Sequence, residues 1–287
     1  MPSPIKIIEC PRDAMQGIKQ FIPTPKKVQY IQSLLRVGFD TIDFGSFVSP
    51  KAIPQMADTA EVFAQLDLNK TISKLLAIIA NVRGAEDVCK YSEIRYLGYP
   101  FSISENFQMR NTHKTIAQSV ETLTEILNLA QKANKEVVVY ISMGFGNPYG
   151  DPWSVDIVAN WTDKLYQMGV KILSLSDTVG TSNPESIDYL FSNLIPQYPQ
   201  IEFGAHLHTT PSTWFEKVDA AYQAGCKRFD GAIQGFGGCP MAKDELTGNM
   251  PTEKLLSYFT SKGKNTLNSL SFESAYNEAT KIFNGYN

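Results

Sequence analysis

Cysteine is scarce in this chain: four residues among 287, Cys10, Cys89, Cys226 and Cys239. None forms a C-x-x-C pair, which excludes a disulfide scaffold and the paired-cysteine zinc modules. No apolar run approaches the ~18 residues that a membrane span needs. Basic residues are not in excess; 26 Lys and Arg stand against 29 Asp and Glu, for a net charge of −3 and a pI near 5.7. No Lys/Arg-rich run is present, so a nucleic-acid footprint is missing. The opening Met1-Pro-Ser-Pro-Ile-Lys6 has neither the apolar core of a signal peptide nor an Arg-rich amphipathic leader. These absences point to a cytoplasmic protein with no membrane and no nucleic-acid partner. Cys89 and Cys226 read as core thiols, whereas Cys10 and Cys239 adjoin polar motifs.

What is present is a rhythm. The hydrophobic share of 43% supports a large core, and the length suits one α/β barrel. Short β-rich runs start at Ile5, Thr41, Leu75, Glu93, Glu136, Lys171, Ile201 and Lys227, with helical patterns between most of them. Gly38, Gly169 and Gly225 each stop a helix just before a strand. Thr24 ahead of Pro25 reads as an N-cap. The helical signal is short or broken at 81–92 and 98–114. The tail from Thr252 to Asn287 reads as helix packed outside the barrel. The expected architecture is α/β: one (β/α)₈ TIM-barrel domain over 1–287, with the barrel at about 5–250 and C-terminal helices at about 252–287.

Active sites of such barrels lie at the C-terminal ends of the strands. The polar residues at those ends are Glu9, Arg12, Asp13 and Gln16; Asp43; Ser142 and Asn147; Asp177; His206 and His208; and Cys239 and Asn249 after the eighth strand. His206-Leu-His208 holds two of the three histidines. In an extended segment residues i and i+2 face the same way, so two imidazoles can share a cation. Asp13 would add a carboxylate. Nitrogen and oxygen ligands without thiolate suit Mg, Mn, Fe or Zn at an open, catalytic site. Arg12 is read equally well as a surface ion pair or as a group that holds a developing enolate oxygen. Gly235-Phe-Gly-Gly-Cys239 reads either as a turn with an incidental thiol or as a lid bearing an acid/base cysteine.

These segments resemble 3-hydroxy-3-methylglutaryl-CoA lyases of the DRE-TIM metallolyase superfamily. The resemblance spans roughly residues 5–255. It rests on Pro11-Arg-Asp-Ala-Met-Gln16, Ser46-Phe-Val-Ser-Pro-Lys51 with Pro54-Gln-Met56, Leu175-Ser-Asp-Thr-Val-Gly180, His206-Leu-His208, and Gly235-Phe-Gly-Gly-Cys-Pro240 with Gly248-Asn249. It implies that Asp13, His206, His208 and Asn249 bind Mg²⁺ or Mn²⁺. It implies that Arg12 stabilises an enolate, that Cys239 is the cysteine of a mobile loop, and that Asp177 is an active-site aspartate. Asp43 stands where the family usually has glutamate. The bases expected for the substrate hydroxyl are His206, Asp43 and Asp177. Arg12, Gln16, Ser142, Asn147 and Gly238 are expected to touch an acyl-CoA substrate. A homodimer acting in leucine breakdown is implied as well.

Some residues depart from the family pattern. Ala14 replaces the glycine after the aspartate, which predicts a differently shaped loop. Thr209 replaces an aspartate after the second histidine, which removes a carboxylate near the metal. Asn147 replaces a cysteine. Two alternatives to the lyase reading follow from these changes: an aldolase or lyase acting on another 3-hydroxyacyl-CoA or 2-oxo acid, and a catalytically silent acyl-CoA-binding barrel.

Overall fold

The computed structural model describes residues 4–238, 247–264 and 267–286. The chain runs β1 (Lys6–Glu9), α1 (Pro11–Gln16), α2 (Thr24–Leu34), β2 (Thr41–Ser46), α3 (Thr59–Ala64), β3 (Lys74–Ile78), α4 (Val82–Cys89), β4 (Ile94–Ser102), α5 (Glu105–Thr112) and α6 (Ile116–Lys132). It continues through β5 (Glu136–Ser142), α7 (Val155–Gln167), β6 (Ile172–Ser176), α8 (Pro184–Gln197), β7 (Glu202–His206), β8 (His208–Thr209), α9 (Trp214–Gln223), β9 (Arg228–Gly231), β10 (Gly248–Asn249), α10 (Thr252–Ser261) and α11 (Ser269–Tyr286). Strands β1 to β7 and β9 close into a barrel, every pair parallel. This is the (β/α)₈ architecture expected. Among the described residues no helix is long and apolar enough to cross a membrane.

Alternation along the strands sorts the core into two. Leu76 and Ile78 of β3, with Val138 and Tyr140 of β5, form a small cluster with Tyr96 and Ile172. Their neighbours Leu75, Ala77, Val137, Val139 and Ile141 belong to the large cluster that joins barrel to helices. The small cluster therefore fills the barrel interior on the β3–β6 side. The rest of the interior is polar: Ser174 of β6 and Arg228 and Asp230 of β9 are buried.

The segments with weak helical signal are short elements with side-chain caps. Asn81 accepts from Gly84 N at 2.9 Å and starts α4. Strand β4 runs nine residues to Ser102, and Ser104 then caps α5 through Phe107 N at 3.2 Å. Thr24, expected as an N-cap, lies inside α2 after Pro23. Its hydroxyl instead donates to Asp58 Oδ2 at 2.8 Å, and Lys27 holds the other Asp58 oxygen at 2.6 Å. A buried carboxylate needed both donors, and that need outweighed the cap.

The tail is helical as expected, and it braces the site. Phe283 of α11 stacks on Phe236 of the glycine-rich loop, centroids 4.1 Å apart, and meets Tyr30 of α2 edge-on at 6.2 Å. Glu9 ties the end of β1 to this region, accepting from Ile233 N at 2.9 Å and Thr252 Oγ1 at 2.6 Å.

Candidate active site

Pro11-Arg-Asp-Ala-Met-Gln16 forms a short helix rather than a loop. Pro11 occupies its first position, where a fixed φ and a missing N–H suit a helix start. Ala14 is buried within that helix, so its Cβ is accommodated and the expected distortion does not arise. Helical spacing sets Gln16 beside both functional neighbours. Gln16 Nε2 donates to Asp13 Oδ1 at 2.7 Å, and Arg12 Nη1 donates to Gln16 Oε1 at 3.0 Å.

Arg12 is nearly buried and spans two carboxylates. Its Nη1 donates to Asp13 Oδ1 at 2.9 Å, and its Nε donates to Asp43 Oδ2 at 3.0 Å. Nη2 adds another bond to Asp43 Oδ2. A guanidinium has five N–H donors, so one Nη2 hydrogen remains for a further acceptor. Burial opposes the charge of Arg12, but Asp43 and Asp13 more than offset it and hold the guanidinium ionised. The surface ion-pair reading of Arg12 is therefore set aside. Burial raises Asp43 to about 6 against the pull of Arg12. Burial also opposes ionisation of Asp13, but Arg12, His206 and the Asn249 hydrogen bond overcome it and lower its pKa.

His206 ends β7, and His208 opens the two-residue β8, which pairs antiparallel with β10. Register sets Asn249 opposite His208. Asn249 Nδ2 donates to Asp13 Oδ2 at 2.7 Å and to Phe236 O at 2.9 Å. Gly237 lets the loop close over this group. Its φ is +93°, and a Cβ there would stand 2.7 Å from Asn249 Nδ2 and 2.8 Å from Asp13 O. Gly238 has φ +134°, and a Cβ there would meet Thr247 O at 2.8 Å.

The donor set fits a divalent metal. Asp13, His206 and His208 each offer a ligand atom, all within 4.8 Å of one another. His208 Nε2 is buried without a hydrogen-bond partner among the described residues. Burial, with His206 beside it, pulls His208 down to about 4, so its ring is neutral and has a lone pair to give. Cys10, His206 and Asp230 form a second close group. That set is the poorer ligand: burial holds the Cys10 thiol protonated, and Asp230 Oδ2 already pairs with His206 Nδ1 at 3.1 Å. Burial lowers the His206 pKa, but the Asp230 hydrogen bond and charge reverse this and raise it.

Other expected residues stand apart from this group. Asp177 is fully engaged: Oδ1 accepts from Ser182 N at 3.0 Å, and Oδ2 accepts from Ser182 Oγ at 2.5 Å and Lys217 Nζ at 2.8 Å. Lys217 also donates to His208 O at 2.9 Å, so this pair fixes the backbone of the histidine segment. Asn147 anchors its own loop, accepting from Tyr149 N and Asp151 N and donating one Nδ2 hydrogen to Asp151 O. Ser142 is buried at the end of β5. Cys239 lies outside the described residues. Sequence reasoning missed Asp230, Lys217 and Arg228. Asp230, from β9, brings its carboxylate to His206 Nδ1 at 3.1 Å. Beside the end of β2 opens a cavity of about 240 Å³, lined by Ser46, Val48, Ser49, Met56, Asn81 and Arg83 among others.

Together these features define a class: a TIM barrel with a site for a divalent metal at the C-terminal ends of its strands. A family model described as HMGL-like matches residues 5–277, and the chain belongs to that family. The hydroxymethylglutaryl-CoA lyase YngG of Bacillus subtilis is 33% identical over 259 residues, 89% of this chain and 86% of that protein. A Pseudomonas aeruginosa 3-hydroxy-3-isohexenylglutaryl-CoA/hydroxy-methylglutaryl-CoA lyase is 34% identical over 260 residues, 89% of this chain and 85% of the relative. The crystal structure of a hydroxymethylglutaryl-CoA lyase from Pseudomonas aeruginosa superposes with a TM-score of 0.90 at 30% identity, covering 99% of this chain and 94% of that one.

Proposed function

We propose that this chain cleaves 3-hydroxy-3-methylglutaryl-CoA to acetyl-CoA and acetoacetate, with Asp13, His206, His208 and Asn249 holding Mg²⁺ or Mn²⁺. The observation that carries this reading is the close grouping of Asp13, His206 and His208 beside Arg12 in a chain of the HMGL-like family. The family and its lyase relatives make the chain a carbon–carbon lyase. A bound divalent ion supplies a Lewis acid that lowers the pKa of the substrate's tertiary hydroxyl.

The residues then divide the work. The hydroxyl proton passes to a base. Of the three candidates, Asp177 is tied to Ser182 and to the Lys217 ammonium, and His206 serves the metal; Asp43 accepts from Arg12 through both oxygens, and its pKa, raised by burial to about 6, suits it to take and hold the proton. As that O–H bond breaks, its electron pair forms the ketone of acetoacetate. The C2–C3 bonding pair moves onto the thioester as an enolate. The spare Nη2 hydrogen of Arg12 donates to the enolate oxygen. The Cys239 thiol returns a proton to C2 and completes acetyl-CoA. Gln16, Ser142 and Gly238 border the substrate, and the acyl-CoA arm runs through the cavity beside Ser46 and Arg83.

The free thiols Cys10, Cys89 and Cys226 support a reducing, cytoplasmic setting. The family resemblance supports a homodimer and a place in leucine breakdown. The two substrates in the name of the Pseudomonas aeruginosa relative make chain length at C3 the open variable. A panel assay tests the reading: 3-hydroxy-3-methylglutaryl-CoA, an analogue with a longer C3 substituent, and non-CoA hydroxy acids. The first is expected to be cleaved fastest. Comparable cleavage of a non-CoA hydroxy acid would overturn the assignment. Micromolar acyl-CoA binding without turnover would support a silent barrel instead.

A further inference from the structure

Strand register builds a polar rung inside the barrel. Tyr140 of β5 pairs with Ser174 of β6, Ser174 with Gly204 of β7, and Gly204 with Arg228 of β9. Gly204 gives the arginine its room: a Cβ there would stand 3.0 Å from Arg228 Cδ. Arg228 is fully buried, and among the described residues only its Nη1 has a partner, Glu202 Oε1 at 3.2 Å. Its Nε and Nη2, the Tyr140 hydroxyl, the Ser174 hydroxyl and Asp230 Oδ1 are all buried without a partner among the described residues. Asp230 lies two residues above Arg228 on the same inward face, and its other oxygen meets His206 Nδ1 at 3.1 Å. The Tyr140 ring packs edge-on against His206, centroids 5.7 Å apart.

A buried guanidinium with two unpaired nitrogens carries a desolvation cost that one bond to Glu202 does not offset. Its donors and the Asp230 acceptor are complementary in kind, yet the two side chains form no direct ion pair. Water satisfies such a mixed set, since it donates and accepts and takes two to four partners. An anion would be repelled by Asp230, and a cation by Arg228. We infer that Arg228 is a remote positioning residue for the metal site: through ordered water it holds Asp230 Oδ1, so that Oδ2 keeps His206 in the tautomer whose Nε2 faces Asp13 and His208. The inference rests on the metal-site reading above. It assigns to Arg228 and Gly204 a role on the path from the barrel interior to a ligand.

Nitrogen-15 NMR of histidine in the metal-free full-length protein, joined to Mn²⁺ titration by electron paramagnetic resonance, tests it. Wild type is expected to show a slowly exchanging His206 Nδ1–H. In Arg228→Met that signal is expected to be lost and Mn²⁺ affinity to fall roughly 10-fold or more. Arg228→Lys is expected to restore affinity to within about twofold, since a merely structural arginine would not be rescued by a charge of different shape. Should Arg228→Met fail to fold, the double variant Gly204→Ala/Arg228→Leu refills the rung with carbon and is expected to show the same two losses. An unchanged Nδ1–H signal with wild-type Mn²⁺ affinity in a folded variant overturns the inference. The metal-free spectrum reads the positioning role separately: wild type that shows the signal but binds no Mn²⁺ sinks the metal reading.

Discussion

Asp43 holds Arg12 from the barrel wall: Arg12 Nε stands 3.0 Å from Asp43 Oδ2, and both side chains are buried. The pair fixes the guanidinium plane while Asp13 and Gln16 engage its other end. Breaking it leaves a buried charge without its main partner. Asp43→Asn is therefore expected to lower kcat by about 100-fold or more, with a small change in KM, because it removes both the base and one anchor of the enolate donor. Steady-state kinetics at saturating Mg²⁺ measures this. An unchanged kcat would remove Asp43 from the reaction.

His208 offers a neutral ring whose Nε2 has no hydrogen-bond partner among the described residues. For His208→Ala we expect divalent-metal affinity to fall by about 100-fold with the fold retained. Isothermal titration with Mn²⁺ reads the affinity and far-UV circular dichroism reads the fold. Wild-type affinity in the variant would exclude His208 as a ligand.

Much of this was legible in the amino-acid order, and the failures have physical causes. Strands such as Glu136–Ser142 announce themselves by β-branched runs, and glycine stops such as Gly169 mark where helices end. Asp13, His206 and His208 were found because their residue types are rare and their spacing fits strand ends. Arg228 and Asp230 were not, because alternating polar residues in a strand read as a solvent face; only barrel closure turns that face inward. Lys217 carries no local signal, since a lysine in a helix is ordinary and only tertiary packing sets it on Asp177. The six-residue helix from Pro11 to Gln16 is too short for periodicity to reveal, yet it alone explains how Ala14 fits.

Glu9 gives the fold a pH dependence. Burial raises its pKa from an ordinary 4.5 to about 8, partly countered by hydrogen bonds from Thr252 and Ile233. The folded chain thus holds this proton more tightly than the unfolded one. The resulting stability is fully present below about pH 4.5 and is lost as pH rises towards 8, at up to ~1.4 kcal/mol per pH unit. Glu9→Gln should flatten that slope. Urea unfolding at pH 5.5 and 8.5 compares the two proteins, and parallel changes in both would refute the assignment.

Cys239 follows the glycines that close over Asn249. Cys239→Ala is expected to slow turnover by about 100-fold or more while metal binding stays within about twofold. Single-turnover kinetics beside a Mn²⁺ titration separates the two effects. An unchanged rate takes the thiol out of the mechanism.

The central claim is a metal-dependent carbon–carbon cleavage at the Asp13, His206 and His208 group. The direct measurement is product release from 3-hydroxy-3-methylglutaryl-CoA by the metal-stripped protein before and after Mg²⁺ or Mn²⁺ is restored. We expect acetoacetate and acetyl-CoA in equal amounts, formed only with metal present and abolished in His208→Ala. Equal rates with and without metal, or no acetoacetate at saturating metal, would contradict it.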